Sequence, residues 1–130
     1  MTRVLIVDDD ADILELLRLE VEDEAGCRAD STTNPLHALD LARSTLYDAI
    51  ITDWRMPVMN GREFIDALRH QGCRSYIIIY SAIEPDDGMK RTLEAGADQY
   101  ILRRGSPDRE FGELKTSLRM IPTHHHLSRE

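Results

Sequence analysis

Apolar residues recur along this chain in two rhythms. Val4-Leu5-Ile6-Val7 is an unbroken run, and Ile13, Leu14, Leu17 and Val21 follow it at the three- and four-residue spacing of a helix face. Asp10 stands where an N-cap would, and Gly26 marks the end of that helix. The pattern then repeats. A weaker strand over 27–31 leads to a short helix over 35–44, opened by Asn34 and Pro35 and carrying Leu36, Leu39 and Leu41. A third strand over 48–52 is followed by a helix bearing Phe64, Ile65 and Leu68, with Gly61 before it and Gly72 after it. Residues 76–80 form a β-branched fourth strand, a helix is expected over 87–95 before Gly96, and 99–102 is a fifth strand. Ser106-Pro107 opens a last helix with Phe111, Leu114 and Leu118, which Pro122 stops.

Strands that read as continuous apolar runs are buried on both faces, so this alternation predicts a parallel sheet covered by helices on each side. In such a sheet every strand C-terminus lies on one edge, where α/β proteins hold their ligands. That edge collects Asp8-Asp9-Asp10, Asp53, Ser81-Ala82 and Arg103-Arg104. Carboxylates brought within about 4 Å of each other repel by roughly 4 kcal/mol at an effective dielectric of 20, and the cluster therefore calls for a cation. With no His or Cys beside it, an all-oxygen donor set selects a hard ion, and Mg²⁺ suits carboxylates that share it with water and a phosphate oxygen. Asp53 is then placed to act as a nucleophile toward a phosphoryl group, with Ser81 as a hydroxyl donor and Arg103 as a permanent positive charge.

Composition narrows the classes. One domain fits in 130 residues, and 42% hydrophobic with 31% charged residues is globular. No apolar run reaches the roughly 20 residues of a membrane span, and the absence of a signal-peptide pattern favours the cytoplasm. A net charge of −8 with scattered basic residues argues against direct nucleic-acid binding. Cys27 and Cys73 lack metal-ligand spacing and read as reduced thiols. Residues 1–121 are expected to form the domain and 122–130, with His124 to His126, a tail or linker stub.

Val7-Asp8-Asp9-Asp10, Asp53-Trp54-Arg55-Met56-Pro57, Ser81-Ala82 and Gly96-Ala97-Asp98-Gln99-Tyr100 together resemble the receiver domain of two-component response regulators over about residues 2 to 120. The resemblance implies an α/β fold with a doubly wound five-stranded parallel sheet in the flavodoxin-like order 2-1-3-4-5, helices on both faces. It implies Asp53 as phosphoacceptor, charged from a phosphohistidine on a sensor histidine kinase or a phosphotransfer protein. Asp8, Asp9 and Asp53 would hold Mg²⁺ with the backbone carbonyl of Arg55, Asp9 being the more direct ligand of the acidic pair. Ser81 and Tyr100 would be the switch pair. No enzyme activity is implied beyond self-phosphorylation and autodephosphorylation. The fourth helix, fifth strand and fifth helix would form the partner face, and mixed charges at Lys90, Arg91, Glu94, Arg109, Glu113 and Lys115 permit a homodimer or output contact there.

Departures from the family pattern sit in one place. Arg103-Arg104 stands where the family has Lys-Pro. A longer planar guanidinium would reach a phosphate from a shifted position, or pair permanently with Asp53 and hold the site shut. Without Pro, a trans linkage and a rearranged loop are expected, with Gly105 absorbing the change. A degenerate receiver acting as a phosphorylation-independent interaction module is the alternative. A haloacid-dehalogenase-type phosphatase would want an acid where Arg55 stands, and a flavodoxin-like cofactor binder would not place Asp8-Asp9-Asp10 in its phosphate loop.

Overall fold

A computed structural model describes residues 1–84, 86, 90 and 96–121. The strands β1 (Thr2–Val7), β2 (Cys27–Thr32), β3 (Ala49–Thr52), β4 (Tyr76–Ser81) and β5 (Gln99–Leu102) form one sheet in the order β2-β1-β3-β4-β5. Every neighbouring pair is parallel, with Val7 beside Thr32 and Thr52 at the C-terminal edge. Four helices are described: α1 (Ala11–Asp23), α2 (Pro35–Ser44), α3 (Gly61–His70) and α4 (Pro107–Met120). The expected helix over 87–95 lies outside the described residues apart from Lys90, whose amide donates to the Asp86 carbonyl at 3.0 Å. The expected tail over 122–130 lies outside them as well.

Strand alternation sorts the core into two layers. Leu5, Val7, Ile50, Ile77 and Ile79 point to the side of α2 and α3, where they meet Leu39, Phe64, Ile65 and Leu68. Val4, Ile6, Ile51, Ile78 and Tyr80 point the other way, onto Leu14, Leu17 and Val21 of α1 and Leu114 and Leu118 of α4. Burial on both sides explains why the central strands carry unbroken apolar runs.

Several boundaries move for local reasons. β1 begins at Thr2 because Thr2 and Arg3 pair with Cys27 and Arg28. Asp48 leaves the start of β3, its carboxylate accepting the Arg3 amide at 2.8 Å. α1 ends at Asp23, and Gly26, at φ +83, makes the turn into β2 instead of capping the helix. Leu36 was expected on the buried stripe of α2 but is 48% exposed, because Pro35, Ala38 and Leu39 set the phase of that face. Asn60 and Glu63 form a reciprocal capping box at the start of α3. Ser106, by contrast, makes no side-chain cap to α4.

Phe64 is fully buried at the centre of the α3 side. Phe64→Ala is expected to lower unfolding free energy by about 3–5 kcal/mol, read as a shift of the urea midpoint with an unchanged slope; a loss under 1 kcal/mol would show that the layer collapses to fill the space.

Candidate functional site

Three strand ends meet where the sheet topology requires. Asp8 and Asp9 follow β1, Asp53 follows β3, and one oxygen from each lies within 4.8 Å of the others. Backbone bonds fix the strand ends: the Asp53 amide donates to the Val7 carbonyl at 3.1 Å and the Asp8 amide to the Thr32 carbonyl at 3.3 Å. Asp10 turns away from the cluster and caps α1, accepting the amides of Asp12 and Ile13 at 3.0 and 3.3 Å.

The three carboxylates differ in environment. Asp9 is exposed, Asp53 is 9% exposed and Asp8 is 1% exposed. Asp8 Oδ1 accepts the Asp10 amide at 2.9 Å, and Asp53 Oδ1 accepts the Trp54 amide at 2.7 Å. Asp8 Oδ2 is buried and has no partner. Burial pushes the Asp8 carboxyl up to about 6, the negative charges of Asp53 and Asp9 add to the rise, and the Asp10 amide and Arg103 oppose it. A buried carboxylate oxygen with no donor, facing two more carboxylates, fits a hard cation as its missing partner. Asp8, Asp9 and Asp53 are thus the residues that could hold a metal. Arg55 follows in the β3–α3 loop with its side chain exposed, and its carbonyl accepts no hydrogen bond among the described residues.

Ser81, 1% exposed, ends β4 beside this cluster, and its Oγ accepts the Ile83 amide at 3.3 Å. Tyr100 lies half-buried on β5 and its hydroxyl donates to the Ile83 carbonyl. Ser81 and Tyr100 therefore hold the backbone of the same residue, Ile83, one at its amide and the other at its carbonyl. Ala82, between them, is small and exposed.

Arg103 corrects one expectation. The resting ion pair with Asp53 does not form. Its guanidinium carbon instead sits over the Tyr80 ring, 5.4 Å from the centroid, while its amide donates to the Ser81 carbonyl at 2.8 Å. Arg104 points outward and pairs with Glu84 at 2.7 Å. No cis peptide occurs among the described residues, and Gly105 adopts φ +92 in the loop that follows. That loop is held by Glu110, which accepts the Arg104 and Ser106 amides at 2.7 and 3.2 Å. The roles of Glu110 and Tyr80 were not legible in the sequence. Glu110 lies four residues after Ser106, one beyond the capping-box spacing, and Tyr80 reads as one more apolar residue of its run.

A family model described as the response regulator receiver domain matches residues 4–113. The chain belongs to the response regulator receiver domain family. Response regulator ArlR of Staphylococcus aureus is 32% identical over 122 residues, which are 94% of this chain and 55% of that protein. The receiver thus spans about half the length of that curated relative. Among solved structures, response regulator TrrA of Thermotoga maritima in complex with Mg(2+)-BeF is 31% identical at a TM-score of 0.80, covering 94% of this chain and 100% of that one. The receiver domain of a Francisella response regulator is 27% identical at 0.81, covering 93% and 96%. The flavodoxin-like order expected from the motifs is the observed one, and the alternative of a phosphorylation-independent receiver finds no support in these relatives. Among the described residues no helix is long and apolar enough to cross a membrane.

The receiver's acidic cluster sets its pH response. Because the folded Asp8 pKa, about 6, lies above the unfolded value near 3.8, the folded state binds the extra proton between these limits. Stability from this group is therefore fully present below about pH 4 and is lost as pH rises through 6, a cost on the order of 3 kcal/mol. In EDTA at pH 7, Asp8→Asn should raise unfolding free energy by up to that amount and flatten its pH dependence between 4 and 6. Unchanged urea curves across that window would contradict it.

Proposed function

We propose that this receiver accepts a phosphoryl group on Asp53 from a phosphohistidine of a sensor histidine kinase or phosphotransfer protein. The observation that carries the reading is the partnerless, buried Asp8 oxygen within the carboxylate cluster that also contains Asp53. In the transfer, an Asp53 carboxylate oxygen forms a bond to phosphorus as the donor's N–P bond breaks, and the electron pair leaves with the imidazole. Mg²⁺ held by Asp8, Asp9, Asp53 and the Arg55 carbonyl would neutralise the charge that gathers between carboxylate and phosphoryl oxygens. The TrrA relative crystallised with Mg(2+)-BeF supports that choice of ion.

Ser81 is suited to donate its hydroxyl to a phosphoryl oxygen, giving up the Ile83 amide. Since Tyr100 bonds the carbonyl of the same residue, Ile83, movement of Ser81 changes what Tyr100 can bond. Tyr100 also lines a cleft of about 400 Å³ with Arg104, Arg109 and Glu113, so the switch reaches the surface on which an output partner or a second copy would dock. Of the charged face expected there, Arg91 and Glu94 lie outside the described residues, and Lys90 is exposed. Two free cysteines fit a cytoplasmic location. We take 1–121 as the receiver unit and assign it no turnover beyond its own phosphorylation and dephosphorylation.

Incubated with a small acyl phosphate and Mg²⁺, the protein should gain one phosphoryl group by intact mass, and Asp53→Asn should gain none; a phosphorylated Asp53→Asn would show the wrong nucleophile. Mg²⁺ should also change the fluorescence of Trp54, whose amide bonds Asp53. Asp9→Asn should shift that titration to higher Mg²⁺, and a superimposable curve would remove Asp9 from the ligand set.

A further inference from the structure

The alternation of β5 continues past its last residue. Ile101 faces the α1 and α4 layer, and Arg103, two positions on, follows it to the same side, where Tyr80 lies. Tyr80 is 3% exposed, so its ring is a fixed, dry surface against which a cation is attracted by the ring quadrupole. The Tyr80 hydroxyl donates to Glu110 Oε1 at 3.3 Å. Glu110 is 4% exposed. Burial raises its carboxyl, but the amides of Arg104 and Ser106 and the Tyr80 hydroxyl outweigh that and leave it below the usual range, so it is ionised. One carboxylate thus ties down both the ring beneath Arg103 and the backbone just after it. On its open side Arg103 borders a cleft of about 610 Å³ lined by Asp10, Ile13, Leu16 and Phe111, which leaves the side chain room to move.

We propose that Tyr80 and Glu110 are positioning residues that hold the Arg103 guanidinium on the Tyr80 ring while Asp53 is unmodified, and yield it to the phosphoryl oxygens once Asp53 carries them. The inference rests on Asp53 being the acceptor. A ring face is a weaker partner for a guanidinium than phosphoryl oxygens, which accept charge-assisted bonds, so the guanidinium transfers when that charge arrives. The ring still competes, and its hold lowers the affinity of the site for a phosphoryl group.

The full chain is titrated with beryllofluoride, a tetrahedral phosphoryl mimic, in Mg²⁺, following Trp54 fluorescence. Tyr80→Leu should tighten binding about three- to tenfold, the worth of one cation–π contact. Tyr80→Phe keeps the ring but loses its bond to Glu110, and should tighten binding by less than Tyr80→Leu does. In an Arg103→Ala background, Tyr80→Leu should change nothing; equal tightening there would overturn the proposal. By NMR, the Arg103 side-chain protons should be shifted upfield by the ring in the metal-free protein and lose that shift on adding the mimic. Unshifted Arg103 signals at rest also overturn it, and they decide alone if Tyr80→Leu does not fold. Failure of the parent to bind the mimic or gain a phosphoryl group would sink the acceptor reading and the release with it, while the resting Arg103 shift would still report the hold itself.

Discussion

The oxygen of Asp8 that is buried without a donor is the constraint around which the rest of this receiver is arranged. Its neighbours Asp9 and Asp53 make the deficit worse, since each adds negative charge to a place where water has been removed. Such a site is tolerated only because the backbone leaves it no alternative. β1 and β3 are adjacent and parallel, their amides and carbonyls are already paired, and the apolar layers on both faces hold the two strand ends in register. Fold stability is thus spent on holding apart from water a set of charges that a hard cation would complete.

The frame beneath those charges is rigid for an equally local reason. Gly61 starts α3 directly under the site, its amide donating to the Trp54 carbonyl at 2.6 Å. A Cβ there would meet the Trp54 Cα at 2.9 Å and the Asp53 carbonyl oxygen at 3.0 Å. Absence of a side chain lets the helix close against the loop carrying Asp53. The 81–84 loop is held differently, through single bonds that tie Ser81 and Tyr100 to the amide and the carbonyl of Ile83. Asp53 is thus held more tightly than the 81–84 loop beside it.

Arg103-Arg104 sets which groups hold the β5–α4 loop. Arg104 keeps an amide that Pro would lack, and Glu110 uses it. Glu110 thereby takes over the helix start that Ser106 leaves uncapped, and brings Tyr80 into the same set of bonds. The longer side chain of Arg103 then rests on an aromatic ring rather than on Asp53. Its positive charge still acts on Asp8 from that position, moderating the rise that burial causes.

Strand runs, the helix starts at Asn34-Pro35 and Ser106-Pro107, and the grouping of Asp8, Asp9, Asp53, Ser81 and Arg103 at one sheet edge were all legible in the chain, because side-chain period and parallel topology are local and geometric rules. Tertiary structure decided what period alone does not carry. Leu36 faces solvent because its helix is phased by Pro35 and Leu39. Asp8 rather than Asp9 is the buried member of the acidic pair, because one residue of further chain past the strand turns the next side chain outward. Arg103 lies on Tyr80 because Glu110, distant from Tyr80 in sequence, supplies the buried charge that fixes ring and loop together. Sequence determines which charges reach the edge of the sheet; their partners depend on burial and on contacts between separate elements, which exist only once the layers have packed.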